Sequence, residues 1–292
     1  MNLIQIFTRF PDQEACIEHL EKNRWGDNPT CPHCNASHVE RKSDGGRIGR
    51  WNCHECKSSF NVLSGMIFEK SSTPLQKWFL AIGLMINAKK SLSSYQIARD
   101  CDLSQRTALR IQHKIRAQMA ASQADIVLQG IVEADETYVG GKPRKPNKRE
   151  DDTPAKRGRG TDKTPVIGVV ERGGKVVAKV ADNLTGKNIM HFITNSVDKV
   201  GSLLITDEFA SYRALSQVMP HAWVNHKEQY VDGAVHTNTI EGVWALIKRA
   251  WYGSHHHYSK NYMPLFIAEA CWKYNHRKSD NAFGAFIRGL FA

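Results

Sequence analysis

Three acidic residues, Asp135, Asp207 and Glu241, can do chemistry together. A hard cation such as magnesium takes carboxylate oxygens and keeps water, so cleaving a phosphodiester calls for a few acids converging from separate elements. Two such ions, magnesium or manganese, activate the attacking oxygen and stabilise the leaving one. Asp135 lies within Ile131-Val-Glu-Ala-Asp-Glu-Thr-Tyr-Val-Gly-Gly141, and Asp207 ends the apolar run that starts at Ser202. Either aspartate alone could simply begin a turn. Their joint setting, with an acid to follow, is what points to metal.

That later acid sits in His236-Thr-Asn-Thr-Ile-Glu-Gly-Val-Trp-Ala-Leu-Ile-Lys248. At helical spacing Ile240, Val243, Trp244, Ile247 and Trp251 form a buried stripe, and Asn238, Glu241 and Lys248 fall on another face. Glu241 can complete the metal shell, and Lys248, two turns on, can meet a DNA phosphate. The competing reading is a Glu and a Lys solvated on an exposed helix.

A second metal chemistry lies in Cys31-Pro-His-Cys34 and Cys53-His-Glu-Cys56, two pairs separated by 18 residues. Each pair can form a knuckle with both thiolates aimed at one ion. Two knuckles give the closed tetrahedral shell of structural zinc, with no position left for catalysis. Disulfides are the competing reading, disfavoured where no secretion signal is seen. His33, His38 and His54 lie nearby, but four cysteines fill the shell. Cys16, Cys101 and Cys271 stand alone in apolar stretches and read as reduced core residues.

Forty Lys and Arg against 29 Asp and Glu give the 292-residue chain a net charge of +11, which favours a polyanionic partner such as double-stranded DNA without identifying it. A basic surface that only confers solubility is the alternative. No apolar run approaches the ~18 residues that span a bilayer. Met1 to Phe10 lack the features of a secretory signal, so the expected location is cytoplasmic.

These side chains need elements to hold them, and three divisions are expected. Residues 1–64 hold a helix capped by Asp12, carrying Ala15, Cys16 and Leu20 and leading to Trp25, then the zinc ribbon. Residues 65–124 are helical. Thr73-Pro74 supplies an N-cap and first-turn proline for Leu75, Trp78, Phe79, Ile82 and Ile86. Ser93 to Cys101 and a helix capped by Ser104 then make a helix-turn-helix-like pair. Ala108, Ile111, Ile115 and Met119 form the stripe of the second helix, leaving Gln105, Arg106, Arg110 and Lys114 to reach phosphates or base edges. The plain alternative is a helical pair with a solvated basic face.

Residues 125–292 read as α/β. A strand ends at Asp135, a hairpin joins Pro165–Glu171 to Lys175–Val180 through Arg172-Gly173-Gly174, and Gly186–Val200 reads as a helix. A strand to Asp207, a helix, a strand around Trp223–Asn225 and the Glu241 helix follow. Together they imply a mixed sheet with helices packed on it. The insert 142–163, with nine basic and four acidic residues, cannot bury a core and is a candidate DNA-backbone contact. His255-His-His257 receives no metal, because three consecutive side chains rarely face one ion.

The ordered set Arg24-Trp25, Cys31-Pro-His-Cys34, Cys53-His-Glu-Cys56, Glu133-Ala-Asp-Glu-Thr-Tyr-Val-Gly-Gly141, Thr206-Asp207, His236-Thr-Asn-Thr-Ile-Glu-Gly-Val-Trp244 and Tyr274-Asn-His-Arg277 resembles bacterial insertion-sequence transposases. The branch it resembles is the zinc-ribbon DDE group related to Merlin elements. The resemblance spans nearly the whole chain. It implies a ribonuclease-H-like catalytic domain preceded by the ribbon and the helix-turn-helix-like region, with Asp135, Asp207 and Glu241 as the acidic triad. It also implies a two-step reaction: water frees a 3′-hydroxyl at the element's end, and that hydroxyl attacks target DNA. Asparagine can fill the third position in relatives, which makes Asn238 the alternative to Glu241. Glu133, Glu136 and Glu208 are neighbouring acids, and strand alternation turns Glu136 away from Asp135 and Glu208 away from Asp207.

Three readings follow. An active transposase, assembled as a homo-oligomer on DNA, joins the ends it cuts. A ribonuclease-H-like nuclease or resolvase cuts without joining. A DNA-binding regulator that has lost catalysis uses only the ribbon and helical pair, and the acids together with Lys248 argue against it.

Overall fold

The computed structural model describes residues 1–42, 48–140, 163–208, 210–224, 236–255, 257 and 259–291. The insert 142–163, apart from Lys163, lies outside the described residues, as do Asn225 and His256. Two compact units are present, Met1–Ser122 together with Lys278–Ala292, and Gln123–Arg277.

In the first unit, α1 (Leu3–Arg9) leads into α2 (Gln13–Trp25), where the Asp12 carboxylate accepts the Ala15 N–H at 2.8 Å as the cap. Cys16, Ile17 and Leu20 form the buried side of α2. The ribbon is an antiparallel sheet of β1 (Val39–Arg41), β2 (Arg50–Cys53) and β3 (Ser59–Asn61). Trp25 packs edge-on against Trp51 and Phe60, each with ring centroids 5.9 Å away, and so welds α2 to the ribbon.

Helix α3 (Leu75–Asn87) starts one residue later than expected. Pro74 occupies the N-cap and Thr73 gives no cap; the Gln13 side chain of α2 instead accepts the Leu75 N–H at 2.8 Å. Helices α4 (Ser94–Asp100) and α5 (Gln105–Ala121) are capped by Ser93 and Ser104. Between them Asp102 adopts the left-handed conformation, φ 50°, that turns the chain. The expected division at residue 64 does not separate two compact bodies, since ribbon and helices share one unit. Nor does the second unit run to 292. Helix α9 (Ala282–Arg288) belongs to the first unit, where Phe283 packs against Phe10 and, edge-on, against Phe79, with centroids 6.0 and 5.6 Å away.

The second unit is built on strands β4 (Leu128–Val139), β5 (Thr164–Glu171), β6 (Val176–Val180), β7 (Val197–Asp207) and β8 (His221–Val224). They lie in the order β6-β5-β4-β7-β8. The first three are antiparallel neighbours, while β7 runs parallel to β4 and β8 parallel to β7. This 3-2-1-4-5 mixed sheet is the ribonuclease-H-like arrangement.

Helix α6 (Gly186–Ser196) and a 3-10 helix (Ala210–Gln217) cover one face, burying Ile189, Phe192, Ile193, Tyr212 and Leu215 on Val132, Ala134 and Leu204. Helices α7 (Asn238–Ala250) and α8 (Met263–Asn275) cover the other. Helix α6 is shorter than the expected 186–200. Val197 instead opens β7 and pairs with Leu128, a choice that suits β-branched Val197 and Val200. Among the described residues no helix is long and apolar enough to cross a membrane.

Candidate active site and metal centre

The cysteine knuckles converge. Cys31 Sγ lies 3.7 Å from Cys56 Sγ, Cys34 Sγ lies 3.5 Å from Cys53 Sγ, and all four sulfurs are within 4.8 Å of one another. A tetrahedron with zinc–sulfur bonds of about 2.3 Å has edges near ~3.8 Å, so this thiolate set fits a structural zinc ion. The two knuckles share a backbone device. The residue after the second cysteine of each, Asn35 (φ 60°) and Lys57 (φ 58°), is left-handed and turns the chain so that both sulfurs face inward.

The aspartates are placed by the parallel pairing of β4 and β7. Glu133 is in register with Ile205, and two residues further on each strand stand Asp135 and Asp207, level with one another on the face covered by α7. Adjacent strands are roughly 4.8 Å apart, so the two carboxylates are neighbours. Asp135 Oδ2 accepts the Trp244 indole N–H at 2.9 Å. Directly across from Asp135 on β5 is Gly168, where an added Cβ would lie 2.5 Å from the Trp244 ring. The glycine leaves the space that lets the indole reach the carboxylate. Burial, then the charge of Glu136, push the Asp135 carboxyl up to about 7, Asp207 adds to the rise, and the Trp244 bond opposes it.

Glu136 points to the other face, where its Oε2 accepts the hydroxyl of buried Tyr212 at 2.8 Å, as strand alternation predicts. Burial, together with the charges of Glu136, Asp135 and Asp207, raises the Tyr212 pKa well above its ordinary value. That hydroxyl is an acid neighbour that sequence alone did not single out.

Helix α7 buries Ile240, Val243, Trp244 and Ile247, with Trp251 just beyond it, and leaves Asn238, Glu241 and Lys248 exposed. At about 100° per residue Glu241 stands ~60° around the helix from Trp244, and Asn238 ~120° away. Glu241 is thus the nearer of the two to the edge that touches Asp135. Thr237 Oγ1 lies 3.5 Å from its Oε1. Among the described residues only the four cysteines form a group of possible metal ligands within 4.8 Å of one another; Asp135, Asp207 and Glu241 do not close to that distance.

On α5, Arg106 and Arg110 are exposed, whereas Gln105 donates its amide to Ser94 Oγ at 2.8 Å. Lys114 is engaged within the unit. Its ammonium donates to the Ile67 carbonyl at 2.7 Å and lies 5.9 Å from the Trp78 ring centroid, and burial lowers its pKa. Its place among the expected DNA contacts follows from spacing alone, which does not show that the linker at Ile67 folds over it.

Residues 127–275, just over half of the chain, match the family model described as ISXO2-like transposase domain, and residues 11–59 match that of the transposase zinc-ribbon domain. The chain therefore belongs to the ISXO2-like transposase family. A curated relative, an uncharacterized protein in transposable element ISH50 of Halobacterium salinarum, is 30% identical over 271 residues, 88% of this chain and 89% of that protein. Among solved structures, the Mos1 strand transfer complex aligns over 75% of this chain and 78% of that one at 10% identity and a TM-score of 0.32. The Mos1 paired-end complex with the left transposon end aligns over 75% and 81% at 11% identity and a TM-score of 0.25.

Two expectations follow. Purified protein should carry one zinc per chain by metal analysis, and Cys31→Ser or strong chelation should release it and melt the ribbon, read as loss of structure by circular dichroism. The second concerns Asp135, whose folded pKa of about 7 exceeds the ordinary 3.8. A raised carboxyl favours the folded state fully at pH below about 4, and that contribution is lost as pH rises through about 7. Thermal melts without divalent cation should therefore lose more stability between pH 5 and pH 8 (about the span of that titration) in wild type than in Asp135→Asn. Manganese should raise the wild-type Tm more at the upper end of that range. A manganese effect independent of pH would contradict the assignment.

Proposed function

We propose that this protein is a DNA transposase that cuts at the ends of its own insertion sequence and joins the freed 3′-hydroxyl to target DNA. The observation that carries the reading is the pair Asp135 and Asp207, level on adjacent parallel strands beneath α7, in a chain of the ISXO2-like transposase family. Asp135, Asp207 and Glu241 are the residues we assign to hold two magnesium or manganese ions, with Asn238 as the alternative third ligand. When bound, such ions lower the barrier to in-line attack on phosphorus and neutralise charge at the leaving oxygen.

The chain's own part is to fix the carboxylates. Trp244 orients Asp135, and the sheet holds Asp207 beside it. Burial first, and then the charges of Glu136 and Asp207, raise the affinity of Asp135 for a proton, and the like charges around it favour a cation at the same place. Lys248, exposed two turns beyond Glu241, is assigned to a DNA phosphate near the reacting bond. Arg106 and Arg110, with Gln105, form the recognition surface of the helix-turn-helix-like region. Within the first unit we treat 1–64 and 65–124 as separate recognition segments, ahead of the catalytic segment that begins at 125. Synapsis of two ends calls for at least two protomers on DNA. Origin in a bacterial insertion sequence, kinship with Merlin elements and action in the cytoplasm belong to the same reading.

Labelled duplexes carrying the inverted repeats that flank the gene provide the test. With magnesium, wild type should nick the ends and form joined products, and Asp135→Asn should bind but do neither. Cleavage without joining favours the nuclease, and binding without chemistry by folded, zinc-loaded wild type favours the regulator. In fluorescence titrations of the same duplexes, Arg106→Ala and Arg110→Ala should each weaken binding and reduce the slope of log affinity against log salt by about 1. An unchanged slope in both removes α5 from the interface.

A further inference from the structure

One acid that the triad leaves unused is among the best held in the unit. Glu133 is 0% exposed and lies on the α7 face of β4, two residues before Asp135. Its Oε2 accepts the backbone N–H of Thr239 at 2.8 Å and of Ile240 at 3.0 Å, the second and third residues of α7. Its Oε1 accepts the Thr239 hydroxyl at 2.8 Å and the Arg172 Nε at 2.7 Å. Arg172 Nη2 continues to the His236 carbonyl at 2.8 Å, and His236 Nδ1 lies 3.4 Å from Glu133 Oε1. A buried carboxylate is costly unless fully partnered. Here it faces a guanidinium and the positive end of a helix, both favourable to negative charge.

This arrangement replaces an ordinary cap. Thr237, at the N-cap of α7, makes no side-chain capping bond, and the first turn is capped from the sheet instead. Further along the helix, Trp244 bonds Asp135. From Glu133 to Asp135 the strand advances roughly 6.6 Å, and from Thr239 or Ile240 to Trp244 the helix advances roughly 6–7.5 Å. The two advances match, so α7 is latched to β4 at two levels of one strand face. Glu241 stands between those levels.

We infer that Glu133 is a positioning residue, whose carboxylate seats the first turn of α7 on β4 and thereby sets where Glu241 stands relative to Asp135 and Asp207. This rests on the triad proposed above. Groups that orient metal ligands from behind typically matter by about 10–100-fold in metal affinity or activity.

Glu133→Gln keeps the size but loses the charge and one acceptor. At a temperature where it is fully folded, its kcat for end cleavage should fall about 10–100-fold, with the KM for the end duplex unchanged. Manganese affinity by calorimetry should fall in the same direction, and amide exchange should quicken locally at residues 238–244. Met263→Ala, in the same core on α8, is the control: matched for loss of Tm, it should keep wild-type kcat, manganese affinity and exchange at 238–244. If Glu133→Gln behaves like that control, Glu133 is only a stabilising residue and the inference is overturned. Should Glu133→Gln not fold, Arg172→Lys, which keeps a charge but loses the bridge to the His236 carbonyl, carries the same comparison. Asp135→Asn separates the two failures. Cleavage that survives it overturns the triad, whereas loss of cleavage there with full activity in Glu133→Gln overturns the positioning role alone.

Discussion

The parallel pairing of β4 with β7 is the constraint on which the second unit depends. Parallel neighbours bring their carboxyl ends to the same edge of a sheet, and the connection between them must cross a face, here through the β5–β6 hairpin and α6. Two acids 72 positions apart in the chain thus become level, Asp135 and Asp207, with no local preference of either bringing them together. The antiparallel arm β5–β6 then provides the floor beneath α7. Gly168 admits the Trp244 ring, and Arg172, at the hairpin turn, reaches Glu133.

The chemistry of the site follows from a balance between burial and charge. The sheet face under α7 is apolar around Val166, Val170 and Val176, which makes an ionised carboxylate costly there. Glu133 meets that cost with fixed partners and is used up as a structural anion. Asp135 meets neutral donors instead, the Trp244 indole and the Glu136 backbone, and is crowded by the charges of Glu136 and Asp207, so that burial and like charge push its carboxyl up to about 7. Two acids two residues apart on the same strand face therefore meet different partners, decided by what the helix above presents to each.

How much of this was legible in the sequence depends on range. The zinc ligands were, because C-x2-C spacing encodes the knuckle locally and only two knuckles need to meet. The hairpin through Arg172-Gly173-Gly174 and the stripe Ile240, Val243, Trp244, Ile247 were legible for the same reason, each being written within a few residues. Glu133 stands out in the sequence only as a neighbour of Asp135, since its partners lie 39 and 106 positions away. Lys114 matched the spacing of a DNA-facing residue, yet Ile67, 47 positions earlier, takes its ammonium. The start of β7 reads as helix in the sequence because α6 and β7 abut without a break, and Val197 is settled by its pairing with Leu128 rather than by its neighbours.

Helix α9 brings a consequence for synthesis. The first unit contains the opening residues, yet part of its core, Phe283, Phe286 and Ile287, is supplied from near the other end of the chain. During translation α1, α2 and α3 emerge early with Phe10 and Phe79 still lacking Phe283, and nearly the whole of the second unit must be made before that gap can close. Long-range closure of this kind slows folding and leaves apolar surface exposed while the ribosome works. A chain that ends prematurely before residue 283 therefore releases a first unit with an open core, a natural target for proteolysis, so that this unit is completed only in polypeptides that also carry the full sheet.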